Sequence, residues 1–282
     1  MIFFNHDAWH DKCFYFCRCP LGGRGGKLES TALGDQMKHD WKMAGLLAVG
    51  MLGANGAQAS LIADGTGLVY DNVANVTWSS DANLFATMQA GNPNLVNQII
   101  AAVPTVHDTP NGYDNAGPGN YNLSSADFVG GGALDWWGGM AFMGYLNSID
   151  YLGHNTWMQP ATYDQSCSGF NCTNSMLGEL FYTGLGGTAG QSITTSHNAS
   201  YSLFTNMQNS VYWSGTESAS NQLGAWNFLT SNGDQYATFK HYNSLAWAVL
   251  PGQAGAAAVP EPAGLALFGI GLLGLLAGRR RG

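Results

Sequence analysis

Positive charge is nearly missing from the middle of this 282-residue chain. Of its ten Lys and Arg residues, six precede residue 60 and three close the chain at Arg279, Arg280 and Arg281. Between them stands Lys240 alone, against twelve acids from Asp64 to Asp234, so residues 60–258 carry a net charge of −11. Nucleic-acid binding needs Lys and Arg on phosphates, which excludes that class of partner. Direct ion pairing with sulfated, anionic polysaccharides is excluded on the same ground.

Cysteine is also scarce. Cys13, Cys17 and Cys19 lie in the first 36 residues, with no His or Cys partner at zinc-finger spacing. Beyond residue 60 only Cys167 and Cys172 remain, spaced C-x4-C. In an oxidising compartment a pair this close reads as a disulfide closing a small loop. A metal site would need two further ligands, and none is spaced nearby.

Signatures of catalysis are absent too. His107, His154, His197 and His241 are scattered, with no H-x3-H pair or H-E-x-x-H among them. Ser214 and His241 could join an Asp on paper, but Ser214 lacks a G-x-S-x-G elbow. Asp135 and Asp150 are better explained as opposite ends of a helix than as paired glycosidase carboxylates. The expectation is therefore no catalytic residues, no metal and no cofactor. An envelope enzyme acting on polysaccharide is the alternative.

What is present begins with two targeting signals. Met37 opens a complete secretory signal peptide. Lys38 and Lys42 are its positive region, residues 44–54 its apolar region, and Ala57-Gln58-Ala59 its A-x-A cleavage site. Residues 1–36 show no periodicity, so the expected start is Met37, with 1–36 an over-extended and unstructured leader. At the other end stand Pro260-Glu261-Pro262, an apolar run of 16 residues over 263–278, and Arg279-Arg280-Arg281. The run is a little short of the roughly 20 residues of a comfortable membrane span. The arginines behind it form a cytoplasmic stop.

This tripartite tail resembles the PEP-CTERM sorting signal of Gram-negative bacteria. The resemblance implies export across the inner membrane, transient anchoring there by the tail, and processing by an exosortase. The expected organisation is a leader over 1–36, a signal peptide over 37–59, one domain over 60–252, an Ala/Gly linker over 253–258, and the sorting signal over 259–282. A mature region near 200 residues supports a sizeable single core.

Within the domain, β-prone runs at 67–71 and 75–79 flank a turn at Asp71-Asn72. Residues 95–103 are a helix candidate stopped by Pro104, and 106–121 read as an irregular loop. Residues 133–149 place Leu134, Trp137, Met140, Ala141, Tyr145 and Leu146 on one helical face. Residues 175–185 form a further helix candidate, capped by Gly186-Gly187. From Val211 the pattern is β, with 225–240 a hairpin turning at Asn232-Gly233 and 245–250 a further apolar strand. Trp226 and Phe228 are expected in the core, covered by the helix over 133–149.

Several blocks occur in a recognisable order: Gly67-Leu-Val-Tyr-Asp71, Asn75-Val-Thr-Trp78, Asp81-Ala-Asn83, Asn155-Thr-Trp157 with Pro160, Tyr212-Trp-Ser-Gly-Thr-Glu217, Ala225-Trp-Asn-Phe228, Gly233-Asp-Gln235, and Ala246-Trp-Ala-Val249 with Pro251-Gly252. They resemble the domain of unknown function at the C-terminus of Lcl-type collagen-like adhesins. That resemblance implies an α+β, C-type lectin-like fold: two helices on a twisted, mostly antiparallel sheet with long loops. The family commonly has a basic residue where this chain has Met158. Its relatives' glycosaminoglycan ligands do not carry over to a domain with one Lys. Lectin-type calcium loops are incomplete at Gln159-Pro160-Ala161 and Trp226-Asn227-Phe228, each lacking its last oxygen ligand. Formylglycine-generating chemistry is not expected either, since a disulfide explains the two cysteines. Among the tryptophans, Trp136 is the expected exposed sugar-stacking residue. The expected role is a non-enzymatic binding or structural component of the cell envelope or an extracellular, exopolysaccharide-rich biofilm matrix.

Overall fold

A computed structural model describes residues 60–255. The leader, the signal peptide with Ala57 and Ala59, and the sorting tail from Pro260 to Arg281 lie outside the described residues.

The domain opens with a meander. Strands β1 (Leu61–Ala63), β2 (Leu68–Asp71) and β3 (Val76–Ser79) pair antiparallel, and β9 (Val249–Pro251) returns from the far end of the chain to pair with β3. Thr77 ties this closure. Its hydroxyl donates to the Gly252 carbonyl at 2.8 Å and accepts from the Ala254 amide at 2.9 Å. The two ends of the described chain are thus held at one sheet.

Between them come helices α1 (Leu84–Gly91) and α2 (Leu95–Ala102), the short pair β4 (Thr105–His107) and β5 (Asn120–Asn122), and helix α3 (Trp136–Ser148). Helix α4 (Met176–Glu179) follows and runs into one π-turn over Leu180–Gly184. A three-stranded antiparallel sheet then forms from β6 (Val211–Glu217), β7 (Gly224–Leu229) and β8 (Gln235–Phe239), in that order.

The fold is mixed α+β, as expected, with differences in detail. Four α-helices stand among the described residues where two were expected. The strands form a four-, a two- and a three-stranded sheet instead of one. Residues 106–121 contain β4 and β5, whose pairing closes the loop between them. Helix α1 escapes the sequence because it is short and the side chain of its Asn83 cap accepts no hydrogen bond from the first-turn amides.

Helix α3 starts where Asp135 caps it, the carboxylate accepting from the Gly138 amide at 2.7 Å. It is apolar nearly all round, which marks a fully buried helix. Gly138 and Gly139 let it sit tight against its neighbours. A Cβ at either would fall 2.7 Å from the Asp127 carbonyl or from the Gln159 amide nitrogen.

The run Leu245–Leu250 explains why there are two cores. All six residues are buried. Ala246, Ala248 and Leu250 join the core around α1, α2 and α3, whereas Leu245, Trp247 and Val249 join the core around α4. A continuous apolar segment covered on both sides needs no polar alternation.

The hairpin packs differently from expectation. Its register sets Trp226 opposite Ala237 and Phe228 opposite Gln235. The helical segment beside Phe228 is α4 with its π-turn: the rings of Phe181 and Tyr182 lie 5.3 and 6.3 Å away. Helix α3 shares its core with Trp213 and Ala225 instead. Alternation puts apolar groups on both faces of β7, and the sequence pattern does not say which helix takes which face. Trp226 itself is buried, its indole N–H donating to Gln165 Oε1 at 3.1 Å. A disulfide joins Cys167 to Cys172, and Gly169 inside that loop pairs with Gln235 at the start of β8.

Candidate ligand-binding surface

Lys240, the isolated cation of the domain, follows directly on β8. Its side chain has no solvent exposure. Nζ lies 2.6 Å from Asp108 Oδ2 and 2.9 Å from Glu217 Oε2, and over the faces of Trp136 and Trp137 at 4.6 and 5.7 Å. The carboxylates are themselves held. Asp108 Oδ2 accepts from the Trp137 indole and from Asn111 Nδ2, both at 3.0 Å, and Glu217 accepts from the Thr109 amide. The Trp136 amide donates to the Lys240 carbonyl at 2.9 Å. Two acids, two indole faces and one ammonium therefore pin residues 108–119 to the ends of β6, β8 and α3.

The residues on either side of Lys240 face outward. Phe239 is 39 % and Tyr242 51 % exposed. The Tyr242 amide turns back to the Phe239 carbonyl at 3.1 Å and brings the rings together. His241 lies 5.7 Å from Phe239 and 4.6 Å from Tyr242. Tyr113, carried by the pinned loop, is hydrogen-bonded through its hydroxyl to His241 Nδ1 at 2.6 Å. Four rings thus make one strip. Beside it runs a groove of about 200 Å³ lined by Ser218, Asn221, Gly224, Ala237, Thr238, Phe239 and Tyr242. Gly224 sits opposite Phe239 and Ala237 opposite Trp226. Small residues there leave the floor open beside the rings. Asn221 brings an exposed amide side chain to its lining.

Trp136 is not the sugar platform. It is 2 % exposed, its ring covers Lys240, and its indole N–H donates to the Ser214 carbonyl at 2.9 Å. The same holds across the domain: Trp78, Trp136, Trp137, Trp157, Trp213, Trp226 and Trp247 are all buried with the indole N–H bonded. Burying the largest side chains is what a Gly-rich chain needs to build its cores. The exposed rings are Phe and Tyr, which sequence counting passed over.

Ser214 is buried, with its hydroxyl bonded to the Pro160 carbonyl and to Thr162 and Thr216. His241 Nδ1 is engaged by Tyr113, so the paper triad is not assembled. Asp135 and Asp150 stand at opposite ends of α3. Among the described residues, no group of three or more His, Cys, Asp or Glu side chains is arranged to hold a metal ion.

Two acid pairs are buried inside the domain. Burial, and then the neighbouring Asp127, push Asp135 up to about 8. Burial, and then Asp71, push Glu179 up to about 9. Asp71 already accepts from the Val73 and Ala74 amides and the Trp78 indole. Neither Glu179 oxygen meets a protein donor. A protonated Glu179 that donates to Asp71 satisfies both groups. Asp71 and Glu179 are distant in sequence, Asp127 and Asp135 are eight residues apart, and no local pattern marks either pair.

A pH dependence follows. In the unfolded chain both groups ionise near pH 4, whereas in the folded chain they keep the proton to about 8 and 9. The folded state then binds more protons across that window, so stability is full below pH 4 and is lost as pH rises through the folded values. The slope is at most about 1.4 kcal/mol per pH unit for each group, less where water reaches the carboxyl. Melting temperature should fall from pH 5 to pH 9. A flat or rising profile would show that these carboxyls are ionised.

Residues 258–281 match the PEP-CTERM protein-sorting motif. That motif marks an exported protein, sorted by an exosortase to the envelope or beyond. No curated protein and no solved structure matches the chain. No helix among the described residues is long and apolar enough to cross a membrane.

Proposed function

We propose that this protein is a matrix or cell-envelope component that binds a non-acidic polysaccharide on the strip formed by Tyr113, Phe239, His241 and Tyr242. The observation that carries the proposal is the grouping of three exposed rings and the half-buried Tyr113 beside a groove lined by Asn221, Ser218 and Thr238. Sugar rings present apolar C–H faces, and aromatic rings with nearby amides suit both their faces and their hydroxyls. Non-acidic follows from charge: Lys240 is buried and already shared by two carboxylates, and the described residues hold no other Lys or Arg. Export by the sorting tail supports the location. Association with the producing bacterium's exopolysaccharide or biofilm, and transient anchoring in its inner membrane, belong to the same proposal. So does the C-type lectin-like assignment, which the antiparallel sheets and long loops favour.

The reading is of a binder, since the groove is lined by Ser218, Asn221, Gly224, Ala237, Thr238, Phe239 and Tyr242, none of them an acid. Incubation with purified exopolysaccharide separates the classes. Saturable retention is the expected result. Shortened glycan would mean an enzyme, and neither outcome would mean a purely structural protein. Phe239→Ala with Tyr242→Ala should cut retention about tenfold, taking about 0.7 kcal/mol for each lost ring contact, within the range of about 0.5–1.5 kcal/mol for ring–ring pairs. The melting temperature should move much less than for a core aromatic, because both rings are only about half-buried.

A further inference from the structure

The contact between Lys240 and Asp108 has the geometry of a reacting pair. Nζ lies 2.6 Å from Asp108 Oδ2. The carboxyl carbon is one carbon–oxygen bond, about 1.2 Å, beyond that oxygen. The amine nitrogen is therefore less than about 4 Å from the carbon, close to the roughly 3–3.5 Å of a near-attack contact. Both side chains are fully enclosed. The Trp136 and Trp137 rings cover Nζ at 4.6 and 5.7 Å. A second carboxylate oxygen, Glu217 Oε2, stands 2.9 Å from the same Nζ, within reach of its protons. The two oxygens of Asp108 are unlike. Oδ2 accepts from the Trp137 indole and from Asn111 Nδ2, both at 3.0 Å. Oδ1 is buried and meets no protein donor.

We propose that Lys240 and Asp108 join through an intramolecular amide, an isopeptide cross-link, with Glu217 as the proton carrier. Glu217 relays one proton from the ammonium to Asp108 Oδ1. This leaves a neutral amine and a neutral acid, and it removes two charges from an enclosed site where charge is costly. The Nζ lone pair attacks Cγ and the Nζ–Cγ bond forms. Negative charge gathers on Oδ2, where Trp137 and Asn111 already donate. Glu217 then takes a second proton from Nζ and passes it to the hydroxyl at Oδ1. The Cγ–Oδ1 bond breaks, water leaves and the amide carbonyl remains at Oδ2. Two protons and one oxygen depart as that water, and nothing is oxidised or reduced. Glu217 ends as the carboxylate it began as. It is a quarter exposed, so the site reaches solvent on its side. The reaction runs once per chain. Its bond joins residues 132 apart in sequence and fixes the loop 108–119 covalently to the end of β8. Thiols open the Cys167–Cys172 disulfide but not an amide. Such a link suits a protein exported to the envelope or beyond, and it does not depend on glycan binding.

The scarcity of cations makes the bond easy to read. Lys240 is the sole Lys or Arg between Lys42 and Arg279. The exported full chain is denatured, reduced and digested with a lysine-specific protease, which cuts after a free Lys240 and not after an amide-linked one. The wild type is expected to resist cutting there. Its intact mass should fall below the sequence value by the mass of one water. Chymotryptic peptides carrying Asp108 and Lys240 should travel as one species. Glu217→Gln keeps the side-chain size and an oxygen for the Thr109 amide. It should melt cooperatively, keep the full mass and be cut at Lys240. Asp108→Ala should be cut as well. A wild type with full mass that is cut at Lys240 overturns the proposal, and this reading needs no variant to fold. Linkage in Glu217→Gln equal to the wild type overturns the role given to Glu217.

Discussion

Lys240→Met is expected to cost about 3–5 kcal/mol of folding stability, the range found when one partner of a buried ion pair is removed. The substitution keeps the chain length and the contact with the indoles. It removes the charge, so Asp108 stays fully buried and Glu217 three-quarters buried with no ammonium between them. Against a typical total of about 5–15 kcal/mol this is a large loss. Its origin can be checked, because Asp108→Asn and Glu217→Gln in the same chain should recover part of it. Equilibrium urea denaturation measures both. A loss under 1 kcal/mol, or no recovery in the triple variant, would mean that the centre is not electrostatically strained by losing its cation. The same variant should loosen the loop that presents Tyr113, so polysaccharide retention should fall with it.

Trp247→Ala should cost a similar amount, about 3–5 kcal/mol, for a different reason. Trp247 is 1 % exposed and touches three rings: Trp78 at 5.0 Å, Phe204 at 5.1 Å and Tyr212 at 5.5 Å. Its removal leaves a cavity among them. It also strips the Ser79 carbonyl of the indole N–H that lies 2.9 Å away. Trp247→Phe should restore most of the packing and none of that bond, leaving a residual cost of about 1 kcal/mol. Melting or urea curves of the two variants separate packing from hydrogen bonding. Equal losses in both would contradict the packing account.

Much of the fold was legible because local pattern and global role agreed. The apolar residues 245–250, expected as a strand, are buried between both cores, although only Val249–Pro251 pairs as one. Asp135 before an apolar helical run is an N-cap signal, and α3 begins there. The C-x4-C spacing forms the disulfide that it suggests. The rest depended on distance along the chain. Lys240 is 132 residues from Asp108, and nothing near either predicts their pairing. The single cation was counted correctly in the sequence, yet its scarcity was read only as an absence on the surface. Its place is inside, where two carboxylates and two tryptophans gather around it. Trp136 was singled out for exposure because Trp is the best stacking ring, but the largest rings are the first to be buried. Phe239, His241 and Tyr242 looked like an ordinary strand end. Phe239 and His241 flank an inward Lys240 and so face outward, whereas Tyr242 is turned out by the bend that returns its amide to the Phe239 carbonyl. Helix α3 was found and its partner face was not, since β7 is apolar on both sides.

The most direct test of the proposed binding surface is an aromatic ¹H–¹³C NMR titration of the protein with a neutral oligosaccharide prepared from the producing bacterium's exopolysaccharide. Stacking predicts saturable shifts on the rings of Tyr113, Phe239, His241 and Tyr242, with the seven buried indoles unmoved. Saturable shifts centred on other residues, or no shifts at concentrations where the polymer is retained, would contradict it.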